Sequence, residues 1–357
     1  MTEAALRRGT LAITGHGVIT GLGLGTDALT PRAPADVVGM FDELLPSDRA
    51  HVQTDFAAAK HLGRKGTAFL DRGTAFGLVA CKAALADTDA ADLDPLRTGI
   101  AIGTTAGSLK STGDYAWETL TQDRPYLVNP VLFPNAVMNS IAGQAAIRFG
   151  FQGLNATIAG GPLAVLQGLS YSGLALATGR ACAMLVGAVE EFSPQRAWAA
   201  YHAGQRGPYG EGAAVFVVED AERVRAAGRR PVAEVVAVAT VRGDLRDALR
   251  DALGVAGVSA VDIRTVVLCT GGPADLDVVE VAAVAGMLGT AADRRRITEV
   301  TGTAGCATGA FGLASVLADH QRHPDRDGWL SVLTACSADG MAGAAVVRGW
   351  SRAGDHG

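Results

Sequence analysis

Acyl transfer needs a nucleophile held at a turn, a base within reach and donors for the developing oxyanion. Residues 155–169, NATIAGGPLAVLQGL, have the outline of such a device: a short strand, a sharp turn and an apolar helix. The turn reads Gly160-Gly161-Pro162, and none of these residues carries an atom able to attack a carbonyl. The five cysteines include Cys269 in TVVLCTG and Cys306 in TGTAGCATGAFG, both in apolar, glycine-rich surroundings where a thiol is normally inert packing. Neither is expected to start a helix.

Seven histidines offer no evident base. His16 follows the first strand, His51 and His61 lie in an irregular region, and His202 falls in a polar loop. His320, His323 and His356 belong to a helix end or the tail, so all seven read as surface residues. No pair has the spacing of metal ligands, so neither a metal nor a cofactor is expected. Glu211 stands between Gly210 and Gly212 at the head of an apolar strand, in GPYGEGAAVFVVED. A buried carboxylate there needs backbone donors, and glycines let the backbone come close enough to supply them. A structural tie is the expected role. GHGVITGLGLG (15–25) spaces its glycines as GxGxxxG without a following helix, which predicts a strand and turn and no dinucleotide site.

The elements that must position these residues alternate. Apolar runs at 11–19, 99–105, 155–159, 182–190 and 212–220 read as strands, with helices at 74–88, 140–150 and 162–179 between them. A second round has strands at 231–241, 265–271, 329–337 and 342–350, with helices at 244–257, 277–289 and 307–322. Continuous apolar strands between helices imply a sheet covered on both faces, and two rounds in one order predict a duplicated, layered α/β architecture. Residues 27–60 and 108–134 have no clean period and are expected to be functional or interfacial. The 357 residues are 48% hydrophobic with a net charge of −5 and no long basic run, which argues against a nucleic-acid partner. No stretch approaches about 18 uninterrupted apolar residues, so no membrane span is expected. Residues 1–10, MTEAALRRGT, lack the apolar core of a signal peptide, and an odd cysteine count without a CxxC pair suits a reducing, cytoplasmic setting.

Five blocks occur in a telling order: ITGHGVITGLGLG, VNPVLFPNAVMNSIAGQAAIRFGFQGLNATIAGG, GEGAAVFVVED, DVVEVAAVAGMLG and TGTAGCATGAFG. Together they resemble a β-ketoacyl synthase of the thiolase-like superfamily over about residues 10–349. The resemblance implies duplicated βαβαβαββ halves, residues 1–224 and 225–357, in a layered α-β-α-β-α arrangement. It also implies a Cys nucleophile and two histidines. Their matching positions are Pro162 for the nucleophile and Cys269 (or Thr270, with a loop one residue different) and Cys306 for the histidines. The family lysine falls near Thr301, and the gating aromatic near Ala338 in SADGMAG. Loss of all of these together implies that condensation is no longer performed here.

The chain is similar to a chain length factor, the silent partner of a catalytic ketosynthase in type II polyketide systems, although the usual Gln at the nucleophile position is Pro162. The resemblance then implies a heterodimer with that ketosynthase and only indirect dealings with an acyl carrier protein. It places the tunnel and interface at Leu109, Thr112, Gly113 and Ala116, which recur at helical spacing, together with Phe133. Two alternatives stay open: an acyltransferase or condensing-type enzyme using a relocated Cys269 or Cys306, and a homodimeric acyl-binding protein.

Overall fold

In the computed structural model, which describes residues 9–88, 93–205 and 207–351, two runs of strands and helices follow each other along the chain. The first holds β1 (Leu11–Thr20), α1 (Arg72–Asp87), β2 (Thr98–Gly103), α2 (Leu109–Thr121), α3 (Ser140–Phe149) and β3 (Asn155–Ile158). It continues through α4 (Ala164–Ala177), β4 (Ala183–Glu190), α5 (Pro194–His202) and β5 (Gly212–Asp220). The second holds β6 (Ala233–Arg242), α6 (Leu245–Ala256), β7 (Ile263–Leu268), α7 (Ala274–Leu288) and β8 (Asp293–Arg296). It ends with α8 (Ala307–Arg322), β9 (Leu330–Cys336) and β10 (Met341–Gly349).

Each run lays its strands down in the same order, β3-β2-β4-β5-β1 and β8-β7-β9-β10-β6. In both, the last strand of the run is antiparallel to its neighbours, while the inner ones are parallel. The expected duplicated, thiolase-like βαβαβαββ halves are present. The half-sheets meet only where Leu11–Ile13 of β1 pair with Ala233–Val235 of β6. Helices α4 and α8 lie between them and touch strands of both, α1 and α3 cover the outside of the first, and α6 and α7 cover the second. That makes five layers. β2, β4 and β9 are buried along their whole length, as strands apolar on both faces must be.

The sequence reading needs correction in several places. Residues 109–121 form a regular helix, capped by Ser108, and not an irregular stretch. Its Ser, Thr and Gly content is poor for helix, and with only Ser111 buried it carries no apolar stripe to betray a period. β8 is spelled Asp-Arg-Arg-Arg, an edge strand whose charges hide it from a hydrophobicity scan while discouraging further pairing. His202 ends α5 and is not in a loop. Three histidines are buried and not at the surface: His16 lies inside β1 against Asp87 at 2.8 Å, His51 ends a short strand, and His320 lies within α8. His356 and residues 1–8 lie outside the described residues. The 27–60 region supplies two short strands, Ala35–Asp36 and Arg49–His51, of a small separate sheet completed by Tyr209–Gly210.

Candidate functional site

The elbow is intact. β3 ends at Ile158, Gly161 takes φ +54°, a single 3-10 turn spans Gly161–Leu163, and α4 starts at Ala164. Only a glycine accepts that φ without strain, and a Cβ at Gly160 would collide with the Gln167 side chain. Pro162 is buried in the first turn, where its missing N–H leaves nothing unpaired. From the other side α8 closes in: a Cβ on Gly309 would run into the Pro162 carbonyl.

Cys306 and Cys269 flank α8. Contrary to expectation, Cys306 does start a helix: it is the N-cap of α8. Its N–H donates to Glu190 Oε2 at 3.1 Å, and its Sγ lies 3.7 Å from Thr105 Oγ1. A helix N-terminus lowers a thiol's pKa when it can act alone. Here burial, followed by the Glu190 charge, outweighs it and pushes the Cys306 thiol up to about 12. Cys269 follows β7, packs where Gly312 of α8 leaves room, and is likewise held protonated by burial and then by the charge of Glu280. All five cysteines are free thiols. Ala338, which the resemblance places near the gating aromatic, sits in an exposed turn after β9, beside Ser337, whose Cβ faces Gly161.

Buried carboxylates organise the rest of the site. Glu211 is fully buried, accepts N–H bonds from Gln53 (2.9 Å) and Phe192 (3.2 Å), and pairs with the fork of Arg72 at 2.5 and 2.6 Å. Glu280 of α7 accepts from the Cys269 and Thr270 N–H groups at 3.2 Å and from Thr334 Oγ1 at 2.7 Å, and burial raises it to about 7. Glu190 ends β4 and pairs with Arg196 at 3.3 Å. Glu191 accepts from Ser108 Oγ and the Lys110 N–H at 3.1 Å and so anchors the start of α2. Sequence reasoning singled out Glu211 alone. The signal for the others was a charge inside an apolar run: Glu190-Glu191 after CAMLVGAV, and Glu280 within DVVEVAAVAG.

Glu191 has a testable consequence. Burial, and after it the charge of Asp71, pushes its carboxyl from 4.5 up to about 8. The folded chain thus keeps a proton that the unfolded chain gives up near 4.5. Stability from this group is complete below that value and declines as pH rises toward about 8. Glu191→Gln is expected to remove this slope and to be the more stable protein above about pH 8. Urea midpoints measured near pH 5 and near pH 9 decide it, and the same decline in both proteins would refute it.

On α2, Leu109 and Gly113 are half-buried, while Thr112 and Ala116 are exposed. Thr112 Oγ1 donates to the Ser108 carbonyl and, at 3.3 Å, to that of Ala136, which ends the short helix Leu132–Ala136. Phe133 of that helix is 58% exposed, with its ring 6.0 Å from Tyr115. The structure therefore gathers Thr112 and Phe133 at one helix pair, while Gly113 faces Gln195 of α5, whose Cγ would lie 3.1 Å from a Cβ added at that glycine. Trp117, Leu120, Tyr126 and Leu127 are exposed in the same stretch, more apolar surface than an isolated chain usually shows in one region.

The family model for the β-ketoacyl synthase N-terminal domain matches residues 46–208. The ishigamide ketosynthase/chain length factor superposes with a TM-score of 0.85 at 31% identity, covering 96% of this chain and 100% of that one. This chain belongs to the β-ketoacyl synthase family. A 3-oxoacyl-[acyl-carrier-protein] synthase 2 of Rhizobium meliloti is 27% identical over 86% of this chain and 84% of its own. A type II polyketide ketosynthase solved with its acyl-carrier protein (AntDE:AntF) shares the fold, with a TM-score of 0.77 at 17% identity over 96% and 99% of the two chains. Among the described residues no helix is long and apolar enough to cross a membrane, and no group of three or more His, Cys, Asp or Glu is placed to hold a metal ion.

Proposed function

We propose that this ketosynthase-family chain is a non-catalytic subunit, a chain length factor, that pairs with a catalytic ketosynthase and shapes the tunnel for the growing acyl or polyketide chain. The observation that carries the reading is Pro162: a buried proline, with no atom able to attack a carbonyl, stands in the turn before α4, at the position the resemblance matches to the nucleophile. The apolar stretch over α2 and Leu132–Ala136 supports it, because such a surface calls for a partner. So does the bare edge of β3, which carries no charge, unlike the arginine-lined edge of β8 at the other end of the sheet. Carrier-protein docking then belongs to the ketosynthase partner.

Co-expression with the catalytic ketosynthase, followed by native mass spectrometry, tests this. A one-to-one complex is expected, and Ala116→Trp should shorten its product by at least one two-carbon unit by filling the exposed side of α2. A chain that pairs with no ketosynthase would end the proposal. One observation favours a second reading, acyl transfer by a relocated thiol: Cys306 caps a 16-residue helix. A thiol pushed up to about 12 is not a nucleophile at neutral pH, and absence of an acyl adduct on Cys306 is expected.

A further inference from the structure

The two half-sheets separate inside β6. Its residues 233–235 pair with β1, but over residues 236–242 only the β10 side is paired. The register with β10 slips at a bulge between Val235 and Ala237. The Gly243 N–H donates to the Gly340 carbonyl at 2.9 Å, so beyond the bulge the odd-numbered residues bond to β10. Val238 and Thr240 therefore turn their N–H and C=O groups to the open side, where no described residue meets them. β1 is buried along its whole length, whereas β6 is only half-buried over residues 238–241. Residues 236–241, VAVATV, carry neither charge nor proline, the devices that usually blunt an edge.

A cleft runs along this edge. One section, about 720 Å³, lies where residues 9–11, α4 and the end of α6 meet β6. A second, about 610 Å³, shares Ser170, Val238 and Gly254 with it and reaches Arg250 and Asp251. Val238 packs toward the layer between the half-sheets, while Ala237 and Ala239 pack toward α6. The walls are small residues, Ser170 and Gly173 on α4 and Gly254 on α6, and a Cβ at Gly254 would meet nothing within 4 Å. At the rim Arg250 pairs with Asp247 at 2.6 Å, whereas Asp251 is exposed and has no ion-pair partner among the described residues.

We propose that this cleft is the docking site for an extended peptide segment of a partner protein, one that carries a basic residue. The segment adds to β6 as a strand, and its backbone gives Val238 and Thr240 the donors and acceptors they lack. Its side chains point alternately toward the α4 wall and the α6 wall, where the small residues leave room for them. Its basic residue meets the Asp251 carboxylate. A purely apolar ligand would fill the space but leave the polar groups of the strand edge unpaired in a cleft it had dried. Helices flank the edge on both faces, which admits a single extended segment and not a second sheet with helices of its own. β6 stands in the middle of the sheet and β3 at its end, so this segment does not compete with a ketosynthase docked on β3.

The test selects displayed seven-residue peptides against the intact chain and measures the retained ones by fluorescence anisotropy. Retained peptides are expected to alternate apolar residues and to include an arginine or lysine. Gly254→Trp, which fills the α6 wall from an exposed position, should weaken them at least ~10-fold, since the cleft is then too narrow for a strand. Asp251→Asn should weaken them by about 2- to 5-fold and flatten their salt dependence, as loss of a rim charge does. N-methylation of alternate amides separates strand addition from simple apolar packing. Methyl groups on the amides that face β6 should weaken binding at least ~10-fold, and the opposite set should leave it within about twofold. Equal effects of the two sets, undiminished binding to Gly254→Trp, or no retained peptide would overturn the proposal. Peptides that bind only after residues 2–8 are deleted would also overturn it, because the occupant would then be the chain's own N-terminal segment.

Discussion

Arg72→Ala is expected to destabilise the chain by about 3–5 kcal/mol, the usual loss when one member of a buried ion pair is removed and the other stays behind. The stranded group is Glu211, which has no exposed surface. Arg72 gives it two hydrogen bonds, adds a third to the Gln53 carbonyl at 2.7 Å, and stands over the rings of Phe56 and Phe76 at 5.4 and 5.1 Å from their centroids. One side chain thus joins the start of α1, the loop after Arg49–His51 and the start of β5. The N–H bonds from Gln53 and Phe192 to Glu211 would remain, but two neutral donors do not replace a guanidinium. Arg72→Lys should lose less, since it keeps the charge without the fork. Urea unfolding of the three proteins measures this, and a loss below about 1 kcal/mol for Arg72→Ala would mean that water reaches Glu211.

Thr157→Pro is expected to weaken the proposed heterodimer by about 10- to 100-fold while leaving the fold in place. The Ile100 N–H donates to the Leu154 carbonyl at 2.7 Å and the Thr104 N–H to that of Ile158 at 3.0 Å, so the even-numbered residues of β3 face β2. Asn155 and Thr157 then turn their N–H and C=O groups to the open edge. Proline is tolerated where an edge N–H has no partner, so the chain alone should fold normally. A partner strand docking on this edge would find a donor missing and a carbonyl unpaired, a penalty of about 1–3 kcal/mol, and each 1.4 kcal/mol is tenfold in affinity. Native mass spectrometry reads the ratio of free to paired chain. Undiminished pairing would place the interface away from β3 and leave the α2 surface as the remaining contact.

Much of the fold was legible before any coordinates. The apolar runs that became β1, β2, β4 and β5 stood out because strands buried on both faces must be written almost without charge. The helix at 307–322 and the glycine stop at 150 matched to the residue. The elements that escaped notice are those whose positions depend on neighbours and not on their own composition. α2 buries only Ser111, so its apolar residues, Trp117 and Leu120 among them, form no core-facing stripe, and it is held by its cap and by Glu191. β8 pairs on one side only, and its arginines reach Asp277 and Asp319 instead of the core.

The same division runs through the site. Sequence alone determined that Pro162 stands at the elbow and cannot attack a carbonyl, because that follows from the chemistry of one residue at a counted position. It also picked out Glu211, since a carboxylate between two glycines ahead of an apolar strand needs donors. Only the tertiary structure decided that Cys306 caps a helix and is nevertheless held protonated. Glu190 reaches it from 116 residues away in the chain, and burial and charge are properties of the packed surroundings. Arg196 belongs to the same cluster for the same reason. Nothing in SPQRAW marks its arginine for this cluster; the absence of a side chain at Gly305 and the carboxylate of Glu190 do.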